Sequence, residues 1–406
     1  MKVVFITPLT PYKENYRGAS GLPYHLLRNR PNGVDATLYT FNSNHLSADK
    51  IREVEQELNI PIKLLKESWW RVWMFRLHLS FIRILLKYPI NNYRRLRQRE
   101  VEEIKALKPD LIWGYSQEFS RIMKQFPECK RLHTLPDCYS LHFYRRLGLR
   151  GTMIPWLERW NVMVNYIKHY RMERGYDTAS NVTYHLVGEE DRIFLHEINP
   201  VLDAHFLRHP HYELAPRREI QFHEPKLRLL VAGRYDLYSR QLADELVECL
   251  VSYPQHHPSR GERDLRNCYT ITFLGKGWER HVVTLATAGY EVKHITFAPD
   301  YIEEITHHDI QLNPLTIGTG TKGKVLDALA NGLLVLGTRF ALENIAVEHG
   351  KSCIEWTHAE EVPEILLDIA AHREHYERIA EAGREAVLRE HNPAKVSDEL
   401  FKMVTL

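Results

Sequence analysis

Residues 318–324 read GTGTKGK. Three glycines, two threonines and two lysines in seven positions could cradle a phosphate group. Glycine lets backbone amides close on an anion, and lysine brings full positive charge. The spacing Gly-x-x-x-x-Gly-Lys is that of a nucleotide-hydrolase phosphate loop, which needs Ser or Thr next to hold Mg²⁺. Here the next residue is Val325. Such a cradle would have to neutralise its anion with amides and ammonium groups instead. A glycine-rich turn bearing two solvated lysines is the plain alternative.

The elements around this stretch decide what it can hold. The apolar run DIQLNP reads as a strand, and it feeds a loop from Leu315 to Thr321. A helix is expected over Lys322 to Asn331, with Thr321 as its N-cap and Gly332 as its C′ residue. The loop then lies at the carboxyl end of a parallel strand, where open α/β sheets bind ligands. The helix start adds free N–H groups and the positive end of a dipole.

The rest of the chain supplies that setting. Its 406 residues exceed one ordinary core, so two domains are expected. VVFIT, ATLYTF, DLIWGY, KRLHTL and VTYHLV read as strands in the first half. LRLLVAG, YTITFLG, VKHITF, DIQLNP and LLVLGT do so in the second. Longer periodic segments lie between them, which means parallel sheets covered by helices. Residues 207–226 are polar and contain three prolines, so they read as a linker. The expected order is a first domain over 1–206, the linker, a second domain over 227–390, and a final segment over 391–406. Charge divides the same way. Residues 1–206 hold 31 Lys+Arg against 22 Asp+Glu, and residues 207–406 hold 23 against 30. The halves are thus +9 and −7, which suits different partners.

Composition excludes several classes. The five cysteines form no C-x-x-C pair and fit reduced thiols better than a disulfide framework. The opening MKVVFITPLTPY reads as a buried strand, not a signal peptide, and no run of 18 apolar residues could span a bilayer. A cytoplasmic protein is expected.

The stretch PLTIGTGTKGKVLDALANGLLVLGT resembles the C-terminal signature of retaining GT-B glycosyltransferases of the group-one or family-four type. LLVAGRYDLYSRQ, TFLGKGWER and ITFAPDYIEEITHHDIQLNP follow that family's order. ITPLTPYKENYRGASGLPYHLL, LPDCYSLHFYRR and LVGEEDRIFL have weaker counterparts in the first half. The resemblance implies two Rossmann-like domains with parallel sheets facing across a cleft. It implies a nucleotide-sugar donor on the second domain and an acceptor on the first, with retention at the sugar carbon. The final segment would be a helix crossing back to the first domain.

It also implies roles. Arg234 matches the family's diphosphate-binding arginine. The family's lysine falls at Ser239, with Arg240 beside it as the substitute. Gly275 lies in the glycine turn, and Gly318, Thr319, Gly320, Thr321, Lys322 and Lys324 form the donor loop. Two glutamates of the family fall at Thr319 and Asp327. Asp327 can still accept from ribose hydroxyls; the carboxylate at the other position is gone. On the acceptor side the matching residues are Gly18, Ser20, Gly21, Asp137 and Ser140. The family's His-Asp pair reads Pro136-Asp137, with His133 and His142 nearby, and Asp137 could also cap the following helix. No two aspartates stand at spacing two, so neither a metal nor any other cofactor is expected.

Residues 66–98 hold three tryptophans and eight Lys or Arg against Glu67. On one helix Arg76, Ser80, Arg83 and Lys87 would share a face, and Gly151 to Arg174 is similar in character. Such helices suit the surface of an anionic bilayer. The alternative is a helix packed on the first sheet with a solvated basic edge. No nucleic-acid motif accompanies the charge. The histidines at 205, 209 and 211 lack a completing ligand, and the His pairs at 256–257 and 307–308 read as surface loops. The expected activity is metal-independent transfer of a sugar to a surface polysaccharide or lipid-linked glycan. The alternatives are a nucleotide-sugar isomerase or epimerase, and a silent nucleotide-sugar-binding protein.

Overall fold

The computed structural model describes residues 1–13, 20–77, 83–149, 155–256 and 264–405. The chain forms two compact units, Met1–Pro210 with Pro393–Leu406, and His211–Asn392.

The first unit holds β1 (Lys2–Thr7), β2 (Asp35–Thr40), β3 (Ile62–Leu64), β4 (Leu111–Tyr115), β5 (Arg131–Leu135), β6 (Val182–Leu186) and β7 (Ala204–Phe206). They form one sheet in the order β3-β2-β1-β4-β5-β6-β7, and each adjacent pair is parallel. The second unit holds β8 (Leu227–Ala232), β9 (Tyr269–Leu274), β10 (Glu291–Ile295), β11 (Ile310–Asn313), β12 (Leu334–Gly337) and β13 (Ile354–Glu355). Its order is β10-β9-β8-β11-β12-β13, again parallel throughout. Both sheets are doubly wound, with the order reversing beside the first strand of each unit.

The central strands are buried on both faces, so they read as apolar runs without alternation. Leu227, Leu229 and Val231 of β8 enter one core cluster with Trp278 and Leu336. Leu230 enters the opposite cluster with Val325, Leu326 and Leu329 of the helix Gly323–Ala330. The ten expected strands are all present. The three unexpected ones, β3, β7 and β13, are sheet edges of two or three residues, too short to carry a period.

Three details depart from expectation. The segment 207–226 has no helix or strand, yet most of it is packed along the second unit. Ala215 donates its amide to Asn331 Oδ1 at 2.7 Å, and Phe222 to Glu377 Oε1 at 2.7 Å. Arg384 donates to the Arg218 carbonyl at 2.7 Å. This strap borders a cavity of about 380 Å³. The helix expected to run through Arg76 to Lys87 stops at Arg76; residues 83–85 make a single 3₁₀ turn, and Ser80 lies outside the described residues. A helix therefore cannot align Arg76, Arg83 and Lys87. Finally, His308 is buried and bonded to the Glu304 carbonyl at 3.1 Å, not a surface loop residue.

The helix Pro393–Thr405 packs on the first sheet through Val396, Leu400, Phe401 and Val404. Ser397 Oγ donates to the Leu26 carbonyl at 2.9 Å, and the Phe401 ring meets Trp113 edge-on at 5.6 Å. Truncating a buried Phe to Ala typically costs about 3–5 kcal/mol. Phe401→Ala should therefore lower the first unit's unfolding free energy by that order, and its urea midpoint with it, read by near-ultraviolet circular dichroism. An unchanged midpoint would mean the last helix is not part of that core.

Candidate functional site

In the second sheet, β8 and β11 are neighbours at the point where strand order reverses. Their carboxyl ends lead to Gly233–Arg234 and to the loop Pro314–Lys322. The turn after β9 closes against the first of these. Gly275 has φ +139°, and a Cβ there would stand 2.0 Å from the Gly233 carbonyl oxygen. Gly233 donates to Leu274 O at 2.8 Å, Tyr235 to Lys276 O at 3.0 Å, and Trp278 Nε1 to Gly233 O at 2.8 Å. Only glycine fits at 275, and its absence of a side chain fixes where Arg234 emerges.

The loop Pro314–Lys322 is held from several sides. Thr338 Oγ1 donates to the Leu315 carbonyl at 2.7 Å, and Thr316 donates its amide to the Tyr238 carbonyl at 2.7 Å. Asn344 Nδ2 donates to Gly320 O at 3.0 Å. Lys322 is placed differently from expectation. Its ammonium turns back to the carbonyls of Thr319 and Gly320, both at 3.0 Å, with Glu343 at 3.8 Å. Gly318 makes room for this, because a Cβ there would meet Lys322 Cε at 2.4 Å. Lys322 thus braces the loop rather than offering charge to a ligand. The helix Gly323–Ala330 is N-capped at Lys322, not Thr321, and with no side-chain cap bond, so its first turn keeps unsatisfied N–H groups.

Charge gathers beside that helix start. Arg234 and Lys324 are solvent-accessible. Lys324 Nζ lies 5.2 Å from the centre of the Tyr301 ring. Its ammonium is held below the ordinary lysine value, first by desolvation and also by Arg234, while Asp327 and Asp236 oppose the shift. Arg240 opens the helix Arg240–His256 and stands over the Tyr235 ring at 5.8 Å. Ser239, at the lysine position of the family pattern, is buried and its hydroxyl reaches the Arg234 carbonyl at 3.4 Å.

Asp327 is buried one turn into the helix, and its Oδ1 has no partner among the described residues. Burial pushes its carboxyl up to about 7; Lys324 opposes this and Glu213 adds to it. Tyr301 Oη and Thr316 Oγ1 are likewise buried without partners among the described residues, and Tyr301 feels the Asp327 charge. A buried polar group left unmade costs about 1–3 kcal/mol. An acceptor of this kind suits a ligand that brings its own hydroxyl donors. Tyr301 and Thr316 escaped the sequence reading. The only signal for Tyr301 was its place after Asp300, which caps the helix Tyr301–Ile305 by accepting from Glu303 N at 2.9 Å.

In the first unit Gly18 lies outside the described residues. Ser20 and Gly21 are buried at the start of the helix Gly21–Arg28. Asp137 is half-buried just after β5. It does not cap the next helix, Tyr139–Leu147, whose N-cap residue is Cys138. Glu173 takes that role from a distant helix, accepting from Tyr139 N at 2.9 Å and from Ser140 N at 3.3 Å. Asp191 accepts from Cys138 N at 2.7 Å. Burial raises the Glu173 carboxyl to about 7. Ser140 is fully buried. His133 is a core residue, 2.6 Å from the Ser116 carbonyl and pushed down to about 4 by burial. His142 packs against Phe143 on the helix surface. His205, His209 and His211 bond separately to Asp203, Pro210 O and Tyr212 O.

Residues 239–402 match a family model described as "Glycosyl transferase-like". No curated protein matches the chain. Among solved structures, it is similar to Anabaena HepE in complex with UDP, at 11% identity over 100% of both chains with TM-score 0.61. Sucrose-phosphate synthase from Thermosynechococcus elongatus aligns at 11% identity over 100% of this chain and 98% of that one, with TM-score 0.65. The lipopolysaccharide outer core galactosyltransferase WaaB aligns at 11% over 100% and 99%, with TM-score 0.58. The fold is GT-B. Within this GT-B chain the family match covers the donor loop, the helix Gly323–Ala330 and Arg240, while Arg234 lies just before it.

The Asp327 carboxyl yields a prediction. Its folded value lies above the unfolded one of about 3.9, so folding favours the protonated form and stability falls as pH rises from about 4 to 7. Asp327→Asn should then be more stable than wild type at pH 8, on the order of 1–3 kcal/mol in denaturant melts. The gap should narrow toward pH 5. A variant less stable at pH 8 would mean the carboxylate is satisfied in the fold.

Proposed function

We propose that this protein transfers a sugar from a nucleoside-diphosphate sugar to an acceptor hydroxyl, without a metal. The observation that carries this reading is the buried Asp327 carboxyl, whose Oδ1 has no partner among the described residues, beside a helix start with no side-chain cap and with Arg234 and Lys324 at the same strand-order reversal. The solved HepE structures contain UDP, UDP with glucose, and UDP-glucose, which supports a nucleotide-sugar ligand for this fold.

The roles follow from charge. Transfer breaks the bond between the anomeric carbon and a β-phosphate oxygen. The nucleoside diphosphate leaves with the electron pair, and negative charge grows on that phosphate. Arg234, Lys324 and the amides of the first helical turn would stabilise it where it develops. Asp327 would accept from the ribose hydroxyls, and Thr319, Thr321 and the loop amides would face the sugar. Arg240 would stand in for the family's lysine. The acceptor hydroxyl forms the new bond to carbon and releases its proton. On the acceptor unit, Asp137 is the carboxylate we assign to the acceptor, beside Gly18, Ser20, Gly21 and Ser140 of the family pattern. Retention at the sugar carbon follows the family resemblance.

Loss of one donor to a developing oxyanion costs about 10²–10³ in turnover. Arg234→Ala should fall by that factor in released nucleoside diphosphate, with an unchanged circular dichroism spectrum. Unchanged turnover would remove Arg234 from the diphosphate. With a labelled donor, an isomerase would instead leave the nucleotide attached to its sugar.

Chelation tests the charge source separately. Cations and amides occupy the place where an Asp-x-Asp pair would hold a metal, and the sequence has no such pair. EDTA should leave most of the turnover intact. Activity lost on chelation and restored by Mn²⁺ or Mg²⁺ would contradict the metal-free reading.

A further inference from the structure

The helix Trp156–Arg174 is apolar on two opposite sides. Val162, His169, Met172 and Glu173 are buried against the first unit. Trp156, Trp160, Met163 and Ile167 are exposed, and their spacing of four, three and four places them on one stripe. Exposed Arg171 and Arg174 continue the stripe at its far end. Trp156 is 76% exposed and Trp160 57%. Only one of these two faces is needed for packing.

The helix Trp69–Arg76 repeats the pattern. Trp69 is 74% exposed and Trp73 53%, and Leu77 just beyond the helix is exposed in the same stripe. Arg76 flanks it, followed later by exposed Ile84, Leu85 and Lys87. The segment is pinned from beneath. Buried Arg71 donates to Glu67 at 2.9 Å and to the Ile90 carbonyl at 2.6 Å. Lys168, on the Trp156 helix, donates to the Arg83 carbonyl, which ties the two segments together.

We propose that these two stripes form a docking surface for an anionic lipid bilayer. Tryptophan favours the bilayer interface, where an apolar body and an N–H can both be satisfied. The charge on the stripes has one sign. Arg76, Lys87, Arg159, Arg171 and Arg174 are exposed. Of the carboxylates on the described parts of 69–87 and 155–174, Glu158 pairs with Arg146 at 2.9 Å and Glu173 is buried. A second copy of the chain would bring like charges together, whereas anionic headgroups complement them. Docking is peripheral, since no described helix is long and apolar enough to cross a membrane. The proposal does not depend on the donor chemistry, so vesicle binding and sugar transfer fail separately.

The full chain should be sedimented with vesicles of phosphatidylcholine alone and with phosphatidylglycerol added. Partition should be about tenfold or more higher on the anionic vesicles and fall by a similar factor between about 50 mM and 500 mM salt. Brominated lipid should quench the tryptophan fluorescence. Trp156→Ser with Trp160→Ser, and separately Arg171→Glu with Arg174→Glu, should each cut partition about tenfold. The circular dichroism spectrum should not change. Equal binding to neutral vesicles, or none to either, would overturn the proposal. A concentration-dependent dimer that the tryptophan variant dissolves, without vesicle binding, would assign the face to a second copy.

Discussion

A parallel sheet whose strand order reverses cannot close both loops over the same edge. The chain leaves β8 toward one side and β11 toward the other, and the space between their carboxyl ends stays open. Much of the second unit's local chemistry follows from keeping that opening in shape. Gly275 has no side chain because its Cβ would strike the Gly233 carbonyl. Lys322 spends its charge on the carbonyls of Thr319 and Gly320 because a loop at the opening has few backbone partners of its own. What remains uncommitted is Arg234, Lys324, the first helical turn and one oxygen of Asp327.

That division explains an apparent conflict between folding and function. Burying Asp327 unpartnered lowers stability, and the fold tolerates it because the core clusters around β8 and β11 are extensive. A ligand bearing hydroxyl donors would offset the cost of that burial. Glu173 shows the opposite case. It too is buried and raised to about 7, but two backbone amides meet it, so its role is to start a helix.

The fold was legible because fully buried parallel strands leave continuous apolar runs, and glycines mark their ends. Short edge strands such as β13 leave no such trace. The grouping at the strand ends was legible in its residue types. Arg234, Lys324 and Asp327 lie together as the motif spacing suggested. Lys322 did not, because a sequence cannot say that a missing Cβ at Gly318 will admit a neighbouring lysine. Asp137, an acceptor-side carboxylate by resemblance, also read as a possible helix cap, yet the cap arrives from Glu173, 36 positions later in the chain. The basic stretch from Arg76 to Lys87 read as one face of an amphipathic helix. That helix instead breaks after Arg76, and its exposed tryptophans have a counterpart on the helix Trp156–Arg174, a segment of similar character in the sequence.

The central claim is that a nucleoside diphosphate binds where β8 and β11 diverge, its phosphates held by cations and amides without a metal. Hydrogen–deuterium exchange in EDTA, with each common nucleoside diphosphate added in turn, tests this directly. The account predicts slower exchange at Arg234, Tyr235 and Gly275, and across Thr319 to Leu326, with at least one nucleotide. Protection confined to another region, such as the strap over 214–223 and its cavity, would contradict it, as would no protection with any nucleotide.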